Sequence, residues 1–487
     1  MKIQKIIRPS VTLIMLTMLI MLTMLTMLTL AACSSVGPDF TPPKASLQDN
    51  WQQQPPSPRA VSAHDFWASF HDDTLLTLIE LANKNNPDLQ SAAQAIEQAQ
   101  ASLRIDQGNS LPGVNLNASS QYQQPTALSA LRGTNVGGTT DQFLGQASWE
   151  LDFWGKWRRT LEADRATVQL SQAALASARV SLEASVASAY STIRVLEKRL
   201  VVARQNLAEQ SENLRIAEVR YRLGATSELD YRQSQTQFEQ TSSQLPGLQS
   251  SLEQSQHALS ILLGETPDFF AKNFPAESGM PTVPDDLPLG APRDLLRRRP
   301  DVLQAEYAAA AQSARIGLAE AALYPSLTLN GALGYASTDG VSNLFKWDNR
   351  AIAYGLEFNL PIFDRGRISE VVKVQDSLFI QAVLAYQNKV IKAQQEVEDA
   401  LSAITGSAQQ LNSLHQADRA AARTSLLAQR RYRAGQVDYT TVSSAVQAHL
   451  QTSDAVVQTE GAVLQAYISA FRALGGGWQA DTVADSH

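Results

Sequence analysis

The stretch from Lys156 to Leu223 contains neither proline nor glycine, and it carries two long apolar lines. Leu161, Val168, Leu175, Leu182, Ala189, Leu196 and Ala203 fall at every seventh position. Val186, Ile193, Leu200, Leu207, Leu214 and Tyr221 form a second line four residues further on. An apolar repeat of seven held this long predicts an underwound helix whose seam faces neighbouring helices in a left-handed supercoil. At ~1.5 Å per residue such a helix is roughly 100 Å long, far more than a globular domain is wide. On this stretch alone two readings stand: a solvated coiled coil, or a wall helix of a long tube.

Residues 1–32 read as a targeting segment rather than part of the fold. Lys2, Lys5 and Arg8 precede an apolar run from Val11 to Leu30, and Leu30-Ala31-Ala32-Cys33 follows. A basic start, an apolar run and small residues before a cut describe a secretory signal. The run could also cross a bilayer uncleaved, but the small-residue site ending in cysteine favours cleavage. Leu-Ala-Ala-Cys resembles the bacterial lipobox, which implies that Cys33 becomes an acylated first residue. Ser34 stands where an aspartate would imply retention at the inner membrane, so the resemblance implies an outer-membrane destination.

Cys33 is the sole cysteine, which rules out an intrachain disulfide. The full chain has a net charge of −7; without Lys2, Lys5 and Arg8 the balance is 37 basic against 47 acidic residues. That acidity argues against a nucleic-acid partner. Aromatic residues make up 7% of the chain, and Ala, Gln and Ser dominate the helical parts, which suits narrow helix seams better than one globular core.

After Cys33 the chain is proline-rich (Pro38, Pro42, Pro43, Pro55, Pro56, Pro58). Residues 33–65 are expected to be an extended tether that lets an anchored Cys33 sit away from the folded body. Phe66, Trp67 and Phe70 lead into a short amphipathic helix through Leu75, Leu78, Ile79 and Ala82, with Asp72-Asp73 at its start. Asn86-Pro87-Asp88 opens another helix, with proline suited to the first turn.

Four segments alternate instead, over about 114–124, 141–153, 327–337 and 350–362. Val114, Leu116, Ala118 and Tyr122 oppose Asn115, Asn117, Ser119 and Gln121 in the first, and Phe143, Trp149 and Leu151 oppose Gln142, Gln146 and Glu150 in the second. Leu327 to Tyr335 and Ile352 to Ile362 repeat the pattern, with Glu357 and Asn359 on the polar side. Period two with one polar face predicts half-buried strands. Each strand has the length of a membrane-crossing β-strand, and Trp149, Phe153, Trp154 and Trp157 suit an interfacial girdle. A soluble sandwich would alternate in the same way. If these strands cross a membrane, four are too few to close a barrel, and open edges cannot sit in lipid, so several copies must pool them. Two copies or three satisfy that arithmetic equally.

The chain also repeats itself. Pro87-Asp88 returns as Pro300-Asp301 213 residues later, and Tyr221-Arg222-Leu223-Gly224 returns as Tyr432-Arg433-Ala434-Gly435 211 residues later. Residues 66–264 form a first repeat of helix, two strands and a helical hairpin (156–263). Residues 300–475 form a second, with its hairpin over 367–474. Residues 265–299 connect them through a short helix, with Arg297-Arg298-Arg299 as a solvated surface, and residues 476–487 form a disordered tail. Pro246-Gly247 is expected to interrupt and kink the first return helix.

This order of elements resembles the outer membrane factor family of the TolC/OprM type. The matching residues are Phe66-Trp67 with Phe70 and Asp72, Asn86-Pro87-Asp88-Leu89, Trp149-Glu150-Leu151-Asp152, and Tyr221-Arg222-Leu223-Gly224 followed by Ser227-Glu228-Leu229-Asp230. The resemblance implies an α+β membrane protein working as a homotrimer: a 12-stranded β-barrel in the outer membrane, continued by a 12-helix periplasmic α-barrel. It implies the exit duct of a tripartite multidrug efflux system, in contact with outer-membrane lipid, a periplasmic membrane-fusion adaptor and an inner-membrane RND or MFS pump. No cofactor is implied beyond the covalent lipid on Cys33.

The tight turns at Gly224 and Gly435 would end the hairpins, where glycine can take the left-handed conformation that stops a helix. Tyr221, Arg222, Tyr432 and Arg433 precede those turns and are expected at the entrance and adaptor contact. The family's usual acidic ring falls on Ser444 here, so Asp230 and Asp438, linked to Arg222 or Arg433, are the expected entrance acids. Protein secretion, metal export and a periplasmic coiled-coil scaffold remain rival readings. Met280 is the only methionine beyond the signal, which disfavours a thioether-lined copper path. An enzyme is disfavoured because the six histidines are scattered and no phosphate-binding glycine loop is present.

Overall fold

The computed structural model describes residues 35–46, 51–52, 63–124, 138–274, 279–283 and 299–476. The signal segment, Cys33, the loop 125–137, Arg297, Arg298 and the tail from residue 477 lie outside the described residues. In chain order the described elements begin with helices α1 (Ala63–Ala68), α2 (Asp73–Asn85) and α3 (Pro87–Asn109) and strands β1 (Gly113–Gln123) and β2 (Gly138–Glu150). Helices α4 (Lys156–Arg222), α5 (Glu228–Leu262), α6 (Phe269–Asn273) and α7 (Pro300–Ala321) follow. Strands β3 (Ser326–Ser337) and β4 (Arg350–Asn359) then precede helices α8 (Arg367–Arg433) and α9 (Tyr439–Ala473). Helices α4 and α8 have 67 residues each, and α5 and α9 have 35 each.

These elements separate into two compact units, and neither unit corresponds to one half of the sequence. Among the described residues, the first gathers those within 35–43, 96–170 and 306–385, which include all four strands; the second gathers those within 44–95, 171–305 and 386–476.

In the first unit the strands form one antiparallel sheet in the order β1-β2-β3-β4. Glu150 at the end of β2 holds Lys156 Nζ at 2.7 Å, and Asp152 accepts the backbone N–H groups of Trp157 and Arg158 at 3.2 and 3.1 Å. Those carboxylates start α4 where the strand stops, because a helix N-terminus leaves its first N–H groups unpaired.

The second unit has an aromatic and aliphatic core. Phe66, Trp67, Phe70, Leu78, Tyr190 and Phe471 are all buried in it, and Phe66 stacks on Phe471 at 4.6 Å. Several of the polar atoms this core takes in are paired. Glu183 accepts from Trp67 Nε1 at 3.1 Å and Asn83 Nδ2 at 2.9 Å, and the Tyr190 hydroxyl donates to Asp72 at 2.8 Å. Asp72 also caps α2 through Leu75 N, and Asn86 caps α3 through Leu89 N, at the helix starts that the sequence predicts.

Three expectations change. The proline-rich segment is not a free leash over the residues described. Its carbonyls at Lys44 and Ser46 accept from Gln387 and Gln394, and Gln52 N donates to Glu398. Proline denies the segment a ladder of its own but leaves its carbonyls free to accept from side chains. Helix α5 runs through Pro246 without a break. Arg299 is no solvated charge: it is 4% exposed and donates to Asp301, Glu396 and the carbonyl of Ala473. A buried guanidinium is tolerated only when its donors are matched in this way.

Candidate functional site

Residues directly opposite in an antiparallel sheet share a face. Pairs Val114–Ala147, Leu116–Gly145, Gly145–Leu333, Leu333–Ile352, Leu329–Leu356 and Leu327–Phe358 therefore place one continuous apolar face on the sheet. The other face is polar or small: Asn115–Gln146, Ser148–Asn330, Thr328–Glu357 and Ala332–Ala353. Ser148 Oγ bonds Asn330 Oδ1 at 2.9 Å, and Asn330 Nδ2 donates to Glu357 at 3.1 Å, a chain that crosses three strands.

The apolar face is uncovered in a single chain. Val114 is 76% exposed, Tyr354 89% and Ile352 68%, with Leu116, Leu356 and Phe358 close behind. At ~1.5–3 kcal/mol for each such side chain, six of them leave on the order of 10 kcal/mol of burial unrealised. That matches the whole stability of a typical domain. Patches of this extent mark a surface that meets lipid or protein. The outer edges of β1 and β4 also lack a strand partner in this sheet. Among the described residues no helix is long and apolar enough to cross a membrane.

The girdle aromatics gather at the end of the sheet where β2 stops and β3 begins. Trp149 Nε1 donates to Ser110 O at 3.0 Å, and Trp154 stacks on Tyr324 at 4.7 Å while donating to Pro325 O at 2.8 Å. Lys156 Nζ lies 5.1 Å from the ring of Trp157, and Phe153 is half-buried beside them in sequence.

In the second unit both hairpin turns are left-handed glycine stops. Gly224 has φ +66° and Gly435 φ +73°. Ala225 N donates to Arg220 O at 2.8 Å and Gln436 N to Arg431 O at 2.9 Å, the long closing bond of a Schellman motif. Ser227 then caps α5 through Asp230 N. Leu223 and Leu229 are 77% and 64% exposed at this end.

The structure brings some expected entrance residues together and leaves others apart. Tyr221 stacks on Tyr231 at 5.7 Å. Tyr432 is buried in a cluster with Tyr439 and Val442, and burial, together with Tyr432 beside it, pushes the Tyr439 phenol up to about 12. Asp230 accepts from Thr226, and Arg222 pairs with Glu218 on its own helix. The side chain of Asp438 makes no cap bond, and Arg433 adds to the effect of Arg215 in holding the Glu212 carboxyl of the first hairpin below its usual value. Ser444 is exposed. The cation that joins the two hairpin ends is Arg220, absent from the sequence-based set. It donates to the carbonyl of Tyr432 and lies 4.6 Å from that ring. No local signal singles it out: Arg220 stands three residues after the fully buried Ala217, but that burial is itself set by tertiary packing.

Comparison with known proteins follows the same lines. A family model described as outer membrane efflux protein matches residues 78–265 and 291–476. Outer membrane protein OprJ of Pseudomonas aeruginosa is 30% identical over 453 residues, covering 92% of this chain and 94% of its own. The solved structure of the outer-membrane channel OprN matches with a TM-score of 0.83 at 30% identity, over 91% of this chain and 100% of its own. VceC of Vibrio cholerae matches with a TM-score of 0.78 over 86% of this chain and 100% of its own; at 24% identity it shares the fold and is a different protein. An exposed apolar sheet face, glycine-stopped helical hairpins and a family match across most of the length give one conclusion: this chain belongs to the outer membrane efflux protein family, and its place is the outer membrane.

Proposed function

We propose that three copies of this chain form the exit duct of a tripartite efflux system. Two tandem repeats per chain supply four strands, and three chains joined edge to edge through β4 and β1 close a twelve-stranded barrel. Closure removes the open edges that lipid does not tolerate. The apolar face then meets lipid, and the polar face with Ser148, Asn330 and Glu357 lines a water-filled lumen. Twelve helical staves built from α4, α5, α8 and α9 form a periplasmic tube, as the family resemblance implies. Passage is passive, since the chain offers only a wall. The exposed Leu223 and Leu229 at the hairpin ends suit contact with a periplasmic adaptor, which couples the duct to an inner-membrane pump for small toxic compounds. A lipid on Cys33 adds a second hold on the membrane.

The observation that carries this reading is an uncovered apolar face on a sheet with two unpartnered edges. Native mass spectrometry of the detergent-purified particle tests it, together with conductance in planar bilayers. Three chains with a stable conducting pore are expected. A single chain that stays in solution without detergent overturns it.

A further inference from the structure

Within the first unit, the segment that begins two residues after Cys33 is seated in a built site. Val36 N donates to Trp154 O at 3.1 Å, just beyond the end of β2. Arg159, 2% exposed, turns its whole guanidinium toward this segment and one neighbouring carboxylate. Nε donates to Val36 O at 3.0 Å, and Nη2 donates to Gly37 O at 2.9 Å and to Asp39 Oδ1 at 2.8 Å. Nη1 pairs with Glu162 at 2.7 Å. Without the segment, three of these four bonds vanish and the guanidinium keeps only Glu162, with its other donors left to water.

The fit is also steric. Gly155, at φ +80°, would place a Cβ 2.5 Å from Ser35 Cβ, and Gly37, at φ +90°, would place one 2.3 Å from Gly317 Cα. A Cβ on Gly317 would stand 2.6 Å from Val36 O and 2.9 Å from Arg159 Cγ. Three glycines from three separate parts of the sequence thus leave room for one strap. Gly155 and Arg159 flank the start of α4, whereas Gly317 lies in α7, so the site exists only once both sequence halves have come together.

We propose that this Arg159–glycine site is a docking site for the residues that follow the lipid-modified cysteine, and that it fixes where the anchor meets the sheet. The inference rests on acylation of Cys33. Two residues of chain reach at most about 7 Å, so a docked Ser35 holds the anchor at the helix-bearing end of the sheet beside the Trp154–Tyr324 stack. The lipid then enters the membrane next to the barrel wall instead of on a free leash. Arg159 is a positioning residue: it acts on the strap, and the strap acts on the anchor.

The test uses the full chain in outer membranes. Mass spectrometry of the N-terminal peptide asks first whether Cys33 carries acyl chains; their absence removes the lipid reading and leaves the docking site to be judged alone. A spin label on Thr41→Cys then reports strap mobility in three backgrounds: wild type, Arg159→Ala and Gly317→Ala. Gly317→Ala favours the helix it lies in and sets its methyl nearest to Val36 O and Arg159, so it remains informative if Arg159→Ala does not assemble. The label is expected to be immobilised in wild type and mobile in both variants, with cleavage of the strap by added protease at least about tenfold faster. An equally immobile label and unchanged cleavage in Gly317→Ala overturn the docking site.

Discussion

Replacing Arg220 with alanine should release the hairpin ends from one another. The guanidinium donates to the Tyr432 carbonyl and lies 4.6 Å from the Tyr432 ring, so both contacts go together. A hydrogen bond from a charged donor contributes ~1.5–3 kcal/mol when buried. Arg220 is half-buried, which leaves about 1 kcal/mol after solvent competes. The ring contact adds ~0.5–1 kcal/mol. Each chain therefore loses about 1.5–2 kcal/mol, roughly a tenfold shift toward separated ends. If three chains yield together, the shift compounds to about a thousandfold or more. Single-channel recording in planar bilayers is the direct assay, with uptake of a bulky antibiotic by intact cells as the second. Larger or more frequent openings are expected for Arg220→Ala, with Arg220→Lys between it and wild type. Tyr432→Leu should be non-additive with Arg220→Ala, because the two share the ring contact. Conductance and uptake unchanged in Arg220→Ala would refute the link and the closed-end reasoning built on it.

Other outcomes follow from single sites. Among the described residues Gln210 is buried with neither end of its amide partnered, so Gln210→Leu should stabilise the α4 hairpin by ~1–3 kcal/mol in thermal unfolding; a destabilised variant would show that the amide has a partner. Gly461→Ala sets a Cβ 2.4 Å from Val195 Cγ2, a clash of ~1–3 kcal/mol set against ~1 kcal/mol gained in helix propensity, and Val195→Ala in the same chain should restore the melting temperature. Asp301 is a buried carboxyl, which opposes ionisation, yet Arg299 and Lys389 outweigh that and hold it below the usual carboxylate value. A lowered folded value means its stabilisation is full above the ordinary carboxylate range and fades as pH falls through the folded value. Asp301→Asn should therefore flatten the acid limb of a melting-temperature profile, and an unchanged limb would assign the acid sensitivity elsewhere.

The heptad lines illustrate how far sequence reading carries. Leu182, Val186, Ile193, Leu196, Leu200 and Ala203 are buried as the spacing predicts, but Leu161, Val168, Leu175 and Ala189 on the first line are only half-buried, with Ala163, Ala166, Ala173 and Ala176 buried near them instead. Beyond Ala203 the predicted line through Leu207 and Leu214 is only half-buried. The buried positions are Asn206, Gln210, Asn213 and Ala217, and Gln210 and Ala217 continue the first line at its own seven-residue step. A search for apolar residues stops where the seam turns polar, although the geometry continues. The observed strands differ from the predicted ranges by at most three residues at either end, because alternation is a local signal that needs no partner to be seen.

Sequence alone determined what depends on neighbours along the chain: long helices, four one-sided strands, the capped starts at Asp72 and Asn86, and the glycine stops at Gly224 and Gly435. Periodicity, caps and left-handed turns are set within a few residues, so they can be read directly. Tertiary structure alone decided that Arg220 rather than Arg222 or Arg433 meets Tyr432, that Arg299 is buried, and that residues 35–39 dock on Arg159 instead of hanging free. Each of those outcomes depends on which carbonyl or ring a long side chain meets from a segment roughly 100 or more residues away, and nothing in the local pattern encodes that meeting.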